Sequence, residues 1–440
     1  MKTLIKDKGA LVGLLACGFF VLAPLASASG AVYAMTNALG NNQIEVYQRA
    51  SDGTLSLVQT IATTGGGSGV QLDGTDSLGS EGGLMLDKNH THLFAVNTET
   101  LAAHSASGPT VGDCQEGSIT SFLVESNGTL SFVQKTPSGG LFPNSLTVNP
   151  FNNLLYVLNA GGPGIEPVCG QSPNITGFTL SSSGMMTPIA NSTQPINPGT
   201  SPGTFLSCDP GGAPFSTSEF QCGLNPPAFP RSPGQIGFDR LGIVLVVTEK
   251  GTNSVYLFPV GWTGKTGAPI VTKAQGPNQP TYFGFAFDFL DRLIIAEPFG
   301  ATPVIPAAAA SAVSSFSIGF NGVLHAISAD VANRESTTCW IVLAGQYVYA
   351  TNNGSSNVSL YKLALNGSLT LANAAAASVN RPNDMAVVSD EFGIPKFLYV
   401  LESGGGSVGV FDINADGSLT PVQTASGLPV GAGAQGLAAY

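Results

Sequence analysis

Seven short runs of aliphatic and aromatic residues each end in a polar residue that could supply an amide or a carboxylate to a site. The terminal residues are Asn37, Asn97, Asn159, Glu249, Glu297, Asn352 and Glu402. Asparagine commonly caps the turn after a strand, whereas glutamate has no such role and can act as a general base. The three glutamates are therefore the better functional candidates, with a solvated or ion-paired carboxylate as the alternative.

Arg231 adds a cation immediately before a β-type run, in the sequence RSPGQIGFD. A guanidinium can hold a carboxylate or a phosphate through two parallel hydrogen bonds. In that interpretation Glu249 or Glu297 is the base and Arg231 stabilises a developing oxyanion. The alternative is that Arg231 pairs with one of these glutamates and only neutralises an acidic rim.

Further polar residues stand where runs of the same repeats begin or end, and we predict that they bind substrate. They are Asn144, Gln235, Asn383, Asp384 and Glu402, with Glu81 and Gln435 on the same rim. No cofactor is expected, except in a variant of the hypothesis that places Ca²⁺ among several oxygen ligands. The ligands in that variant are Glu249, Glu297, Asn352 and Glu402.

The seven polar anchors lie 60, 62, 90, 48, 55 and 50 residues apart, a spacing typical of repeat architectures. The second repeat divides into four predicted strands at 82–87, 92–97, 117–124 and 128–136. The chain begins with a second-type strand (AVYAMTN) and ends with a first-type strand (AQGLAAY). Pairing these two would close a ring. We therefore predict an all-β fold, a seven-bladed β-propeller with four antiparallel strands per blade. A linear solenoid is the alternative.

The long insertions fall in only two classes of loop, which emerge on one face of an antiparallel blade. They are 62–80, 194–230 and 331–337 before first strands, and 98–116, 160–172 and 298–310 after second strands. Because binding and catalysis concentrate on elaborated loops carried by a rigid scaffold, we expect the site on this face.

Residues 1–28 are predicted to be a secretory signal peptide, with three lysines before an apolar run and Ala26-Ser27-Ala28 for cleavage. Lipidation of Cys17 is the alternative. We expect a secreted protein, extracellular or periplasmic, in which 29–440 form a single propeller with an inserted loop at 194–230.

Removing the signal would move the formal charge from −11 to about −13. Such acidity disfavours nucleic acid as a partner, and no later stretch is apolar enough to span a membrane. A monomer that binds a small molecule or an extracellular ligand is expected.

Cysteine positions suggest two disulfides in an oxidising compartment. Cys114 and Cys169 occupy equivalent loops of adjacent repeats, and Cys208 and Cys222 bracket the large insertion. Cys339 lies in an apolar run and is expected to be a buried thiol. Seven Asn-x-Ser/Thr sequons would carry glycans in a eukaryotic secretory pathway. They are Asn89, Asn127, Asn174, Asn191, Asn353, Asn357 and Asn366.

The repeat unit resembles that of lactonase-type seven-bladed propellers, which include propeller 6-phosphogluconolactonases and carboxymuconate-cyclising enzymes. The YVTN-like segments that carry the resemblance are 154–162, 347–363 and 397–423. The resemblance implies a propeller and lactone chemistry. However, the family's histidine segment before the fourth blade is replaced here by Arg231-Ser232-Pro233-Gly234, so no catalytic histidine can be carried over.

Two functions remain open from the sequence. One is an enzyme that opens or closes a lactone ring of a small organic acid at the mouth of the central channel. The other is a non-catalytic secreted or cell-surface binding propeller, which the low charge, the sequons and the missing histidine favour. The sequence alone does not decide whether the protein is an enzyme.

Overall fold

The computed structural model describes residues 30–69, 76–99, 115–161, 172–196, 232–250, 252–273, 281–298, 311–319 and 321–440. These residues form twenty-nine β-strands in seven sheets, and no helix occurs among them. It follows that no helix in this described part could cross a membrane. The predicted all-β, seven-bladed propeller is confirmed.

Each sheet is one blade, and its innermost strand lines the central channel. From the channel outward, blade one contains β29 (Leu437–Ala439), β1 (Gly30–Met35), β2 (Gln43–Arg49) and β3 (Leu55–Ala62). Blade two contains β4 (Leu84–Leu86), β5 (His92–Asn97), β6 (Glu116–Val124) and β7 (Leu130–Leu141). Blade three contains β8 (Pro143–Val148), β9 (Leu154–Asn159) and β10 (Asn174–Leu180), with β11 (Met186–Pro188) and β12 (Gln194–Pro195) both paired to β10.

The remaining four blades follow the same order. Blade four contains β13 (Pro233–Phe238), β14 (Val244–Glu249), β15 (Ser254–Pro259) and β16 (Ile270–Lys273). Blade five contains β17 (Phe285–Phe287), β18 (Leu293–Glu297), β19 (Ala312–Ile318) and β20 (Leu324–Ala332). Blade six contains β21 (Thr338–Ala344), β22 (Tyr347–Asn352), β23 (Asn357–Leu363) and β24 (Leu369–Ser378). Blade seven contains β25 (Pro382–Ser389), β26 (Pro395–Glu402), β27 (Ser407–Ile413) and β28 (Leu419–Ser426).

The two ends of the described chain close the ring as predicted. Strand β29 pairs antiparallel with β1, with Val32 opposite Ala439 and Ala34 opposite Leu437. Blade one is therefore completed by both ends of the chain, which removes an open sheet edge at the innermost position. We call the face at which the second strands of the blades end the upper face, and the opposite one the lower face.

Tyrosines of the second strands link neighbouring blades. The hydroxyl of Tyr33 donates to the carbonyl of Gly128 at 2.8 Å, and that of Tyr349 donates to Gly417 at 2.7 Å. Each acceptor glycine has a positive φ (82° and 85°) in the outer turn of the next blade. A side chain is disfavoured at that φ, so the repeated Tyr and Gly form one inter-blade device.

Candidate functional site

Four innermost strands begin with a β-bulge on the upper face. In blade three, Pro143 pairs with Asn159 and Ser145 with Leu158, which leaves Asn144 as the extra residue. In blade seven, Pro382 pairs with Glu402 and the next pair is Met385 with Val400. Similar shifts follow Pro233 in blade four and Thr338 in blade six. A bulge redirects side chains, and here the unpaired residues include Asn144, Asn383 and Asp384, all of them predicted substrate-binding residues.

The segment Asp76–Glu81 precedes blade two and contacts the innermost strands of several other blades. The carbonyl of Ser80 accepts hydrogen bonds from Gln435 Nε2 at 2.5 Å and Trp340 Nε1 at 3.1 Å. The hydroxyl of Ser80 donates to the carbonyl of Asn144 at 2.5 Å. Since these partners belong to blades one, six and three, the segment lies at the centre of the ring. All six of its residues are buried.

Glu81 brings a carboxyl group into this centre. Its backbone N–H donates to the carbonyl of Gly234 at 2.9 Å, and the N–H of Ile341 approaches its Oε2 at 3.4 Å. Burial raises the pKa of Glu81 well above its ordinary value, and the charge of Asp384 raises it further. Burial therefore favours the protonated form of Glu81, which is the form that can donate a proton.

Asp384 is the second carboxyl group of the centre. Its Oδ1 accepts a hydrogen bond from the N–H of Met385 at 2.7 Å, and its Oδ2 accepts one from the N–H of Leu437 at 2.9 Å. Burial raises the pKa of Asp384 to about 7, although these two N–H groups oppose the rise, and Asp76 raises the pKa further. A carboxyl group with this pKa can exchange a proton at neutral pH.

Lys250 supplies the cation, directly after the anchor Glu249. Its Nζ donates to the carbonyl of Gly79 and lies 4.5 Å from the centre of the Phe283 ring. Burial lowers the pKa of Lys250 to about 8, while Asp76 and Glu249 favour the charged form. An ammonium group so placed can stabilise negative charge that develops on a substrate.

Cys339 lies in the same centre as a free and buried thiol, as expected. Burial raises its pKa well above the ordinary value, and the charge of Asp76 adds to the rise. The protonated thiol is a poor nucleophile. With Phe283 and Trp340 it forms a small apolar cluster beside the charged groups.

Glu249 and Glu297, the predicted bases, have different surroundings. Both are fully buried. Glu249 Oε2 accepts hydrogen bonds from the N–H of Thr252 at 2.6 Å and from its hydroxyl at 2.5 Å. Burial raises the pKa of Glu297 well above its ordinary value; Ser314 opposes the rise and Asp330 adds to it. These neighbours of Glu297 lie on the third and fourth strands of blade five, β19 and β20.

The other predicted site residues are placed as follows. Glu402 Oε2 accepts a hydrogen bond from the N–H of Asn380 at 3.0 Å, and burial raises its pKa. Asn383 Oδ1 accepts one from Asn353 Nδ2 at 2.5 Å, and Gln235 Oε1 accepts one from the N–H of Phe285. Arg231 and the four cysteines of the predicted disulfides (Cys114, Cys169, Cys208 and Cys222) lie outside the described residues, so those assignments stay predictions.

The asparagine anchor Asn97 connects two neighbouring blades. Asn97 Oδ1 accepts hydrogen bonds from Thr63 Oγ1 at 2.6 Å and Asn42 Nδ2 at 3.1 Å, both in blade one. Asn97 Nδ2 donates to Ser118 and Thr120 of its own blade. The Asn97 side chain therefore fills the space between blades one and two.

The three glutamates of the calcium variant do not gather into one site. Within the described ranges, no three His, Cys, Asp or Glu side chains are grouped so that they could hold a metal ion. Neither Asp76 nor Lys250 was among the site residues predicted from the sequence. The adjacent pair Glu249-Lys250 at an anchor was the available clue, since a lysine next to a buried strand end is unusual.

Comparisons with known proteins agree with the fold. Residues 29–166 match the family model described as lactonase, 7-bladed beta-propeller. No curated protein sequence matches the chain. The periplasmic gluconolactonase PpgL of Pseudomonas aeruginosa has a similar structure (TM-score 0.62, 14% identity, 93% of this chain and 98% of that one). So does a proposed 6-phosphogluconolactonase of Bacteroides fragilis NCTC 9343 (TM-score 0.60, 14% identity, 95% of this chain and 100% of that one).

A third similar structure is a proposed 6-phosphogluconolactonase of Bacteroides uniformis ATCC 8492 (TM-score 0.62, 12% identity, 93% of this chain and 99% of that one). At these identities the structural likeness shows the fold alone. Together with the family model, it confirms that the chain is similar to lactonase-type seven-bladed propellers.

Proposed function

We propose that this protein is a secreted enzyme that opens or closes a lactone ring of a small organic acid at the centre of its upper face. The observation that carries the proposal is the buried group formed by Asp76, Glu81, Lys250 and Asp384. Burying several ionisable side chains costs stability, and strongly shifted pKa values cluster at functional sites. The match of residues 29–166 to the lactonase model supports this choice of chemistry.

Three of these groups can divide the steps of lactone hydrolysis. The Asp384 carboxylate accepts a proton from water as the water oxygen attacks the carbonyl carbon. The Lys250 ammonium stabilises the resulting oxyanion. Glu81 donates its proton to the ring oxygen as the carbon–oxygen bond breaks. Asp384 is then protonated and Glu81 ionised, and a proton passing from one to the other restores the starting state. The reverse sequence closes the ring.

Access to these groups requires movement of the segment Asp76–Glu81, because every residue in it is buried. Such a movement would break the hydrogen bonds that hold the segment, among them those to the Ser80 carbonyl from Gln435 and Trp340. Such gating would exclude bulk water once a substrate is bound.

The same packing favours a second candidate function, a non-catalytic binding propeller. In that case the segment Asp76–Glu81 is a permanent plug of the ring, and the upper loops alone form the contact surface. The two candidates differ in one measurable respect, the turnover of a lactone by the folded protein.

The test is hydrolysis of a panel of five- and six-membered sugar-acid lactones by the wild type and by Asp384→Asn, Glu81→Gln and Lys250→Met. We expect Asp384→Asn to lower kcat by about 10²–10⁴-fold and Lys250→Met by about 10²–10³-fold. Glu249→Gln and a chelator arm test the alternative base and the calcium variant.

Glu45→Gln is the matched control. Glu45 is also a buried carboxyl group with a raised pKa, but it lies in blade one and its Oε2 accepts a hydrogen bond from Thr60. We expect its kcat to stay within about threefold of the wild type. Wild-type turnover by Asp384→Asn would show that the site is wrong. Absence of turnover with every lactone by folded wild type would favour the binding function.

A further inference from the structure

The lower face of blades three, four and five exposes large apolar side chains at the tips of its turns. They are Phe151 in blade three, Leu241 and Ile243 in blade four, and Phe289 and Leu290 in blade five, each more than half exposed. Turn tips are normally occupied by polar residues or glycine. A run of apolar side chains at this position indicates an interaction surface, which we call the apolar arc.

Hydrogen bonds hold these turns in fixed shapes. Asp239 Oδ1 accepts a hydrogen bond from the N–H of Ile243 at 2.8 Å, and Asp288 Oδ1 accepts one from the N–H of Leu290 at 2.9 Å. Asn149 Oδ1 does the same for the N–H of Leu154 in blade three. The apolar side chains are therefore presented by rigid turns, so binding through them costs little conformational entropy.

Contacts between neighbouring turns make the arc continuous. The N–H of Arg240 donates to Asp291 Oδ1 at 2.9 Å, which joins blades four and five. Gly242 packs against Pro150 and Phe151, which joins blades three and four. One apolar surface therefore extends over three blades.

Trp262 extends the arc outward from the turn between β15 and β16. Its side chain is 99% exposed, on the same lower face. Tryptophan is enriched where proteins meet the interfacial region of a membrane. On the upper face, by contrast, the loops that the structure describes expose one large apolar side chain, that of Val430.

The charge of the arc differs from that of the chain. Its turns carry three cations and three anions, which are Arg240, Lys265, Arg292, Asp239, Asp288 and Asp291. They are balanced, although the whole chain has a formal charge of −11. The arc therefore does not repel a neutral lipid headgroup. The chain as a whole is acidic, so it has no general electrostatic attraction to anionic lipid.

We propose that the apolar arc binds the surface of a zwitterionic lipid bilayer, with Trp262, Phe151 and Phe289 inserted into its interfacial region. The upper face with the candidate site would then point away from the membrane. This attachment is independent of the proposed lactone chemistry.

Tryptophan fluorescence tests the proposal on the protein purified after export. The chain has two tryptophans, and Trp340 is fully buried, so Trp262 reports on the arc. With phosphatidylcholine vesicles we expect a blue shift of the emission and flotation of the protein with the lipid. Raising NaCl from about 0.05 to 0.5 M should change binding by less than about twofold, because no net charge drives it.

A triple variant, Phe151→Ser, Leu241→Ser and Phe289→Ser, should weaken binding at least about tenfold, since each apolar side chain adds roughly 1 kcal/mol or more. The matched control is Leu57→Ser, Val58→Ser and Phe132→Ser, which removes exposed apolar side chains from outer strands of blades one and two. Binding by the control should stay as in the wild type.

Several results would overturn the proposal. They are the absence of a blue shift and of flotation at about 1 mM lipid, equal binding by the triple variant, and binding to anionic vesicles alone with loss in salt. A blue shift that appears without lipid as protein concentration rises, together with a dimer in sedimentation, would assign the arc to a second copy of this chain instead.

Discussion

Asp384 accepts a 2.9 Å hydrogen bond at its Oδ2 from the backbone N–H of Leu437, which joins the innermost strand of blade seven to the strand that closes the ring. The same carboxyl group is the proposed base for lactone chemistry. One side chain therefore links the closure of the propeller to its candidate site. We therefore expect the protonation of Asp384 to affect both the stability of the fold and the proposed activity.

The stability of the wild type should fall as the pH rises from about 4 to about 7. Burial raises the pKa of Asp384 from 3.8 to about 7, so in this window the unfolded chain releases a proton that the folded protein retains. The free energy of unfolding then decreases by up to about 1.4 kcal/mol per pH unit for one such group. Asp384→Asn should reduce this slope, as measured by denaturant unfolding at several pH values.

The slope, rather than the absolute stability, is the decisive quantity. The amide that replaces the Asp384 carboxyl group cannot accept both backbone hydrogen bonds equally well, so the variant loses stability at every pH. Glu81 and Glu297, whose pKa values are also raised by burial, keep part of the slope in the variant. An unchanged slope in Asp384→Asn would contradict a raised pKa at this position.

Lys250→Met should destabilise the protein more at pH 7 than at pH 5. At pH 7 the neighbouring Asp76 and Glu249 lose the buried cation whose charged form they favour, which costs roughly 3–5 kcal/mol when a buried charge is left without compensation. At pH 5 more of the carboxyl groups are protonated, and the loss is smaller. Thermal and denaturant unfolding at the two pH values measure the difference.

Lys135→Met is the matched control for that experiment. Lys135 Nζ lies 2.7 Å from Glu99 Oε1, but both side chains are partly exposed to solvent. Such pairs contribute about 1 kcal/mol or less. If Lys250→Met costs as little as the control at both pH values, the cation does not compensate the buried acids.

The repeats made the fold predictable because their information is local. The Tyr33 hydroxyl and the turn at Gly128 act through a contact between adjacent blades, and each of the two elements can be recognised within its own repeat. The two chain ends also indicated their own pairing, since one lacks the strand type that the other supplies. The strand register at the β-bulges was harder to predict from the sequence, because Asn383 and Asp384 resemble ordinary residues at the start of a strand.

The candidate site was only partly predictable because it depends on contacts far apart in sequence. Lys250 and its acceptor Gly79 are separated by 171 positions, and they meet only when the ring is complete. Glu249 and Glu297 occupy the same place in their repeats, yet the first precedes Lys250 and the second faces Ser314 and Asp330. Motif position therefore predicts where a strand ends but not which polar groups surround it.

Asn97→Ala should destabilise the fold by about 1–3 kcal/mol, the usual cost of leaving buried polar partners unsatisfied. The variant removes an acceptor from Thr63 and Asn42 and a donor to Thr120. Denaturant unfolding measures the loss. Asn414→Ala is the control, since Asn414 donates to Ser418 and Thr420 at the exposed surface and should cost about 0.5 kcal/mol or less. Equal losses would show that the Asn97 anchor does not tie the blades together.

Titration of thiols in the protein purified after export should give a different count in each of three states. The sequence has six cysteines, of which Cys17 would leave with the signal peptide. The folded protein should show none, because Cys339 is buried and its pKa is raised well above the ordinary value. Unfolding without reductant should expose one thiol, that of Cys339, if Cys114 is bonded to Cys169 and Cys208 to Cys222. Reduction in denaturant should raise the count to five.

Five thiols in the unfolded protein before reduction would show that neither disulfide forms. If a Cys339→Ser variant still gave one thiol on unfolding, the free thiol would lie elsewhere.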